Sequence, residues 1–406
     1  MSNSPIQSRA DAAGSQRTIY APGMLAVLGA QFLSALADNA LLFAAIAALK
    51  ARTAPDWMTP LLQDFFVLAY VVLAPWVGPF ADALPKGRVM MLGNLIKLVG
   101  SAMVLFGVHP LPAYGLVGLG AALYSPAKYG ILSELVPAQQ LVKANGLIEG
   151  STIVAILLGT VAGGALADRS VTLAFGSVAV CYLLAAIANV GIPRLPAAHP
   201  LAQFNVMEIL RDFSNALRTF FANPDSRFGL LGASLFWGAG STLRFLLVAW
   251  VPVALHISDT KTPANLNAAV AIGVPVGAAL AAKFITLPQI NRVLAPGLMM
   301  GIMVILLAPM QSMGPTVAVL ALLGMASGMF IVPINALIQE CGHRGIGAGH
   351  AVAVLNFFDN FAMLLMVGLY AAVARAGAPV VSTGVGFGLL LMLGMSALAW
   401  FRLRRK

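Results

Sequence analysis

Apolar runs of about twenty residues recur along this chain, each broken by Pro, Gly or a charge, with starts near residues 24, 60, 89, 112, 144, 171, 228, 263, 291, 314, 346 and 380. A run of that length lets an α-helix cross a bilayer at roughly 1.5 Å per residue, and in hydrocarbon a helix satisfies its own backbone. The pattern predicts an all-α membrane protein with twelve transmembrane helices. Composition agrees: 60% of the residues are apolar and 9% charged, where a soluble domain is nearer a quarter charged. A soluble core of 406 residues has no room for so much apolar surface, whereas lipid-facing helices need not hide it.

Twelve crossings put both ends of the chain on one side, and the basic residues say which. Sixteen lie on the terminal side: Arg9, Arg17, Lys86, Arg88, Lys143, Arg194, Arg211, Arg218, Arg227, Lys283, Arg292, Arg344, Arg402, Arg404, Arg405 and Lys406. Five lie opposite: Lys50, Arg52, Arg169, Lys261 and Arg375. Lys and Arg concentrate in short cytoplasmic loops, so both termini are expected in the cytoplasm. The net charge of +10 then needs no nucleic-acid partner. Residues 1–22 are polar, lack a signal peptide's apolar core, and are expected to form a disordered cytoplasmic tail. Residues 23–192 would make one six-helix bundle and 228–406 a second. Between them, 193–227 would carry an amphipathic helix, because Phe204, Met207, Leu210, Leu217 and Phe221 recur at helical spacing. That helix suits lipid contact or packing as a linker. Cys181 and Cys341 support neither a disulfide framework nor a zinc site, and the five histidines show no metal spacing. No metal and no cofactor are expected.

The halves carry a weak duplication. "GAQFLSALADNALLF" aligns with "GASLFWGAGSTLRFL", placing Gly29 over Gly232 and Asp38 over Ser241, and "SPAKYGILSEL" aligns with "VPINALIQE", placing Pro126 over Pro333. Two facing bundles of this kind build their site at the interface near the midplane. Between the second and third runs stands "GPFADALPKGR", with Gly78, Asp82, Gly87 and Arg88. Here the chain resembles the major facilitator superfamily, whose loop signature has the form G-x-x-x-D-x-x-G-R, though the Asp-to-Gly spacing is two residues longer. The resemblance implies that Asp82 accepts from the N-terminus of the eleventh helix, where the helix dipole favours a carboxylate, and latches a cytoplasmic gate. The second half has Ala281 at the matching position, so the latch is expected on one side only.

Buried charge marks a site. Asp38 lies about 21 Å into the first helix, near midplane, where an unpaired carboxylate costs about 3 kcal/mol on insertion scales. Gln31, Ser34 and Asp38 form one polar stripe, and Ser234, Trp237, Ser241 and Arg244 form another in the seventh helix, so an anion and a cation are expected to face each other between the bundles. Lys128 adds a cation to the fourth helix behind Pro126, close to Tyr124. The alternative for each is an ion pair or snorkelling lysine that merely ties helices together. For Lys97 that alternative is favoured, by snorkelling or by pairing with Glu149. Asn356, Asp359 and Asn360 make the eleventh helix polar, either lining the path or holding neighbours. Together these groups fit a zwitterionic or anionic amphiphile, with phosphate at Arg244 and Lys128 and an amine or polar head at Asp38 and Asn39; the residues alone suit a phospholipid and an organic phosphate equally.

Longer blocks, "AQFLSALADNALLFAAIAALKA", "VGPFADALPKGRVMM", "GAALYSPAKYGILSELV", "LVKANGLIEGSTIVAILLGTVAGGALAD" and "SLFWGAGSTLRFLLVAWVPVAL", resemble the bacterial lysophospholipid transporter family of Gram-negative inner membranes over all but the first twenty residues. The resemblance implies inward flipping of lysophosphatidylethanolamine and related lysolipids, without proton coupling, for re-acylation by a cytoplasmic acyltransferase–acyl carrier protein synthetase. It places head-group contacts at Asp38, Asn39, Lys128 and Arg244, and a monomer is expected. Two rivals stand beside it. One is a proton-coupled exporter of drugs or organic ions that titrates Asp38, Glu149 or Asp359; the other is a membrane scaffold recruiting an acyltransferase through its linker helix. An enzyme is not expected, since no nucleophile–base pair or phosphate-cradling loop occurs.

Overall fold

The computed structural model describes residues 20–137, 140–193, 205–344 and 348–404; the side chains of Asp82, Lys143, Glu149 and several other helical residues lie outside that description. Among the described residues the secondary structure is helical throughout. The first bundle comprises α1 (Pro22–Ala51), α2 (Met58–Ala83), α3 (Lys86–Leu105), α4 (Pro110–Gly130), α5 (Leu141–Arg169) and α6 (Val171–Val190). The second comprises α7 (Pro224–Ala254), α8 (Lys261–Phe284), α9 (Leu287–Leu307), α10 (Met313–Arg344), α11 (Ala348–Arg375) and α12 (Val380–Leu403). Eleven of these helices are long and apolar enough to cross a membrane by length and composition. α4 falls short, because it carries three prolines and Lys128.

Local chemistry sets the ends. α7 begins at Pro224, four residues earlier than its apolar run, because Asn223 Oδ1 accepts from the amides of Asp225 (2.9 Å) and Ser226 (3.3 Å). Proline at the first helical position loses no bond there. Asn205 caps the linker helix Val206–Ala222 in the same way.

Pairing within the first half repeats in the second. α1 packs on α5 and α6, α2 on α4, and α3 on α4 and α6; correspondingly α7 packs on α11 and α12, α8 on α10, and α9 on α10 and α12. The tightest of these crossings is α8 on α10. A Cβ added at Gly273, Gly277, Gly324 or Gly328 would overlap backbone of the facing helix. Small residues at such a crossing let helices gain dispersion contact where lipid offers no hydrophobic drive.

The bundles meet through α2 with α11 and through α5 with α8. On the face away from the termini, Asp168 at the end of α5 accepts from two backbone amides opening α8, Thr260 N (2.7 Å) and Lys261 N (2.9 Å). Beside it, Gly164 lies so near α8 that an added Cβ would sit 2.7 Å from Ala264 Cβ. Gln63 of α2 reaches Met363 Sδ of α11 (3.8 Å), and Arg375 lies over the Trp57 ring at 5.0 Å. The face away from the termini is thus closed by direct contacts. On the terminal face the linker helix touches α2, α7 and α11. It packs Phe213 edge-on to Phe357 and stacks Phe221 on Phe358, and leaves Met207 73% exposed.

Candidate functional site

Asp38 sits on α1, and both of its carboxylate oxygens are taken inside its own bundle. Oδ2 lies 2.8 Å from Lys97 Nζ of α3, and Oδ1 accepts from the Tyr182 hydroxyl of α6 at 2.7 Å. Lys97 also donates to Ser34 Oγ (3.0 Å), which donates in turn to Asn94 Oδ1 (2.8 Å). The Lys97 ammonium lies 5.0 Å from the centre of the Tyr124 ring and 5.7 Å from that of Tyr182. Such a cage replaces the hydration that a lysine loses in the membrane interior. Sequence spacing pointed to snorkelling or to Glu149 for this lysine. It is 1% exposed and so does not snorkel, and it is bound to Asp38 because α3 packs against α6 beside α1; the Glu149 side chain lies outside the described residues.

A cavity of about 80 Å3 opens off this cluster, lined by Gln31, Ser34, Asp38, Tyr70, Lys97, Ala121, Tyr124, Ser125 and Lys128. Gln31 Nε2 is held by Thr152 Oγ1 of α5 at 3.0 Å. The Tyr124 hydroxyl is buried with no hydrogen-bond partner among the described residues. Lys128 is 8% exposed and lies 4.2 Å from the centre of its neighbour Tyr129. Asp38 keeps 25% of its side chain exposed. The cavity therefore brings a partly exposed carboxylate and an ammonium to one small volume, with the buried Tyr124 hydroxyl behind its wall. Asn39 is adjacent, but its amide donates to Ala35 O of its own helix (2.8 Å).

The second bundle contributes less directly. Arg244 of α7 is half-buried, with Nε buried and unpaired, and none of its nitrogens meets a carboxylate among the described residues. Arg244 makes no hydrogen bond or ion pair with Asp38, whose two oxygens are taken by Lys97 and Tyr182. Ser241 is half-buried, whereas Trp237 is 43% exposed against Phe236. On α11, Asn360 donates to Asn356 O (2.7 Å), and Asp359 is 6% exposed with Oδ1 unpartnered. None of these six, Arg244 included, lines the cavity beside Asp38.

Around the expected gate, Gly87 meets Ile192 (3.0 Å from an added Cβ), Gly78 faces open space, and Arg88 is exposed. The Asp82 side chain and the segment before α11 lie outside the described residues. The firm contact of this loop is Lys86 with Glu134 at 2.5 Å. Sequence reasoning passed over Tyr182, whose tyrosine in an apolar run carries no signal of its own. It also passed over Asp64 of α2, buried beside Gly368 with Oδ1 unpartnered. A lone carboxylate in an apolar run was signal enough to find Asp64.

Two six-helix bundles related by an internal repeat, closed on one face and holding a charged cavity in the membrane interior, define a membrane transporter and not an enzyme. The chain belongs to the Major Facilitator Superfamily, whose family model matches residues 27–367. Within it, the chain belongs to the family of the lysophospholipid transporter LplT. It is 52% identical over 388 residues to the proteins of that name from Shigella boydii serotype 4 (strain Sb227) and Escherichia coli O9:H4 (strain HS), covering 96% of this chain and 98% of each relative. Among solved structures it is similar to a POT family transporter bound to 5-aminolevulinic acid (TM-score 0.75, 11% identity, 95% of this chain and 97% of that one). It is also similar to a bacterial homolog of the human lysosomal transporter Spinster, inward-facing and unoccupied (TM-score 0.69, 16% identity, 94% and 96%). At those identities the likeness is one of fold.

Proposed function

We propose that this protein moves lysophosphatidylethanolamine and related lysolipids across the bacterial inner membrane, from the periplasmic to the cytoplasmic leaflet, where an acyltransferase–acyl carrier protein synthetase re-acylates them. The observation that carries the reading is the cavity beside Asp38, which opposes a partly exposed carboxylate to Lys128. A lysolipid head bears the matching charges. Its ammonium or polar head meets Asp38 and Asn39, and its phosphate meets Lys128, the Tyr124 hydroxyl and Arg244, the guanidinium from the facing bundle. Charge-assisted bonds of this kind offset desolvation of the head, while the acyl chain stays in an apolar phase. The identity shared with lysophospholipid transporters supports the same substrate class.

Alternating access follows from the contacts between bundles. With Asp168 engaged by α8, the side away from the termini is shut, and the charge distribution assigns the open side to the cytoplasm. Rocking about the cavity would release Asp168 and close the terminal face, where the signature loop and Asp82 belong. The reading takes transport to run without a proton gradient, and the engagement of Asp38 by Lys97 and Tyr182 supports it. One observation favours proton-coupled export instead: Asp64 and Asp359 are buried carboxylates, each with an oxygen that lacks a partner.

Labelled lysophosphatidylethanolamine supplied outside spheroplasts that lack the endogenous transporter tests both readings, with conversion to diacyl lipid as the score. Conversion should require the protein, fall with Asp38→Ala and Arg244→Ala at equal expression, and survive an uncoupler. Collapse with the uncoupler would move the assignment to proton-coupled transport. No conversion beside an active acyltransferase would end the lipid assignment.

A further inference from the structure

The linker helix Val206–Ala222 buries one face against the bundles and leaves a second, partly apolar stripe exposed. We propose that this stripe is a binding site for anionic phospholipid of the leaflet on the terminal side: Met207 and Phe221 enter the head-group boundary, and Arg211 and Arg218 take lipid phosphates. The site stands apart from the cavity beside Asp38, and it does not depend on which cargo that cavity takes.

Helical spacing separates the two faces. Ala216 and Phe220 are buried, on the face that packs against α2, α7 and α11. Met207, Leu210, Arg211, Arg218 and Phe221 fall at i, i+3, i+4, i+11 and i+14, so they share one stripe beside that face. Met207 is 73% exposed, Phe221 36%, and both arginines are exposed. Glu208 and Asp212, the two acids of the helix, lie on its other edge, which leaves the charges of the stripe all positive. Arg227, in the first turn of α7, lies 5.9 Å from the centre of the Phe221 ring and adds a third cation.

Aromatic contacts tie this stripe to the lipid-facing surface. Phe221 stacks on Phe358 (5.6 Å between ring centres), Phe358 meets Phe357 edge-on (5.7 Å), and Phe357 stacks on Phe361 (5.9 Å), which is 39% exposed on the spanning helix α11. An apolar surface continuous with a spanning helix, at the end where that helix leaves the membrane, borders head groups and not bulk water. A basic edge beside it is the arrangement by which a surface helix holds anionic lipid, with the arginine stems on the apolar boundary and the guanidinium groups at phosphate. Arg211 and Arg218 lie two turns, about 10 Å, apart, so each can take its own phosphate. An acidic protein segment would also suit the arginines, but it gives no reason for the aromatic path to the membrane surface. The helix touches α2 of one bundle and α7 and α11 of the other, so lipid held there lies where the bundles meet on the terminal face.

The test places the full chain in nanodiscs of phosphatidylcholine, with and without phosphatidylglycerol, and carries a bimane label at Met207→Cys or Asp212→Cys on a Cys181→Ser, Cys341→Ser background. Quenching by a lipid spin-labelled near its head group reports contact with the bilayer, and quenching by iodide reports contact with water. Lipid quenching should be at least ~threefold stronger for the label at Met207→Cys than for that at Asp212→Cys, and iodide should give the reverse order. Phosphatidylglycerol should strengthen the lipid quenching at Met207→Cys. Each arginine at an anionic surface is worth about fivefold in lipid occupancy, so Arg211→Gln with Arg218→Gln should raise the phosphatidylglycerol needed for half of that effect at least ~tenfold. Arg211→Lys with Arg218→Lys should keep most of it.

A label at Met207→Cys that is open to iodide and silent to lipid leaves the stripe in water and overturns the proposal. Lipid quenching indifferent to phosphatidylglycerol, or to loss of both arginines, overturns the anionic site and leaves apolar contact alone. Shielding from iodide that appears only when the acyltransferase–acyl carrier protein synthetase is added makes the stripe a protein dock, and overturns the proposal too. Failure of the lysolipid assay in spheroplasts touches none of these readings, because the labels report on the helix and not on the cargo.

Discussion

At the scale of single residues, the site is a hydrogen-bonded chain running from Tyr182 through Asp38, Lys97 and Ser34 to Asn94. A bond to a charged acceptor is worth about 1.5–3 kcal/mol, and the partial exposure of Asp38 places Tyr182 toward the lower end. Tyr182→Phe should therefore lower the melting temperature of the purified protein by several degrees while leaving the cavity its charges. A thermal scan in detergent checks this, and an unchanged midpoint would mean that Asp38 finds a substitute donor. Tyr124→Phe should behave oppositely. Its hydroxyl has no partner to lose, so stability should hold while KM for lysolipid rises. Asp38, Lys128 and Arg244 were legible in the sequence because a charge inside an apolar run is costly enough to demand a reason. Tyr182 was not, because nothing in a one-dimensional pattern says which distant hydroxyl meets a carboxylate 144 residues away.

At the scale of helices, the decisive contacts are α5 with α8 and α8 with α10. The carboxylate of Asp168 at the opening of α8 combines two hydrogen bonds with a favourable dipole. Asp168→Ala should loosen that face, so a cysteine placed at the fully buried Ala264 should react faster with an impermeant maleimide added outside spheroplasts. Gly164→Leu should have the same effect for a steric reason, since its side chain cannot share space with Ala264. If neither change raises labelling, α5 and α8 are not the barrier on that side. Gly277 tests the other crossing. Any side chain there overlaps the Met325 carbonyl, so Gly277→Val should abolish stable insertion, read as loss of a monodisperse peak in detergent. The weak sequence repeat announced two bundles. It did not show that glycines set the closest approach in the second.

At the scale of the whole molecule, the question is which way the protein sits. The excess of Lys and Arg on the terminal side predicts that a cysteine at Lys283 is shielded from an impermeant maleimide in intact spheroplasts. One at Lys50, on the opposite side, should be labelled. The reverse result would invert the transport direction proposed here while leaving the site intact.

The sequence by itself determined the helices that cross, the duplication and the cost of burying Asp38, because hydropathy, repetition and charge are properties of the chain read in order. Only the tertiary structure decided how that cost is met. The partner of Asp38 comes from whichever helices pack beside α1. Lys97 lies 59 residues away on α3 and Arg244 lies in the other bundle, and it is the packing of α3 and α6 against one another and of α6 on α1 that selects Lys97. A carboxylate's need for a counter-ion is written in its own chemistry; the choice of counter-ion belongs to the packing.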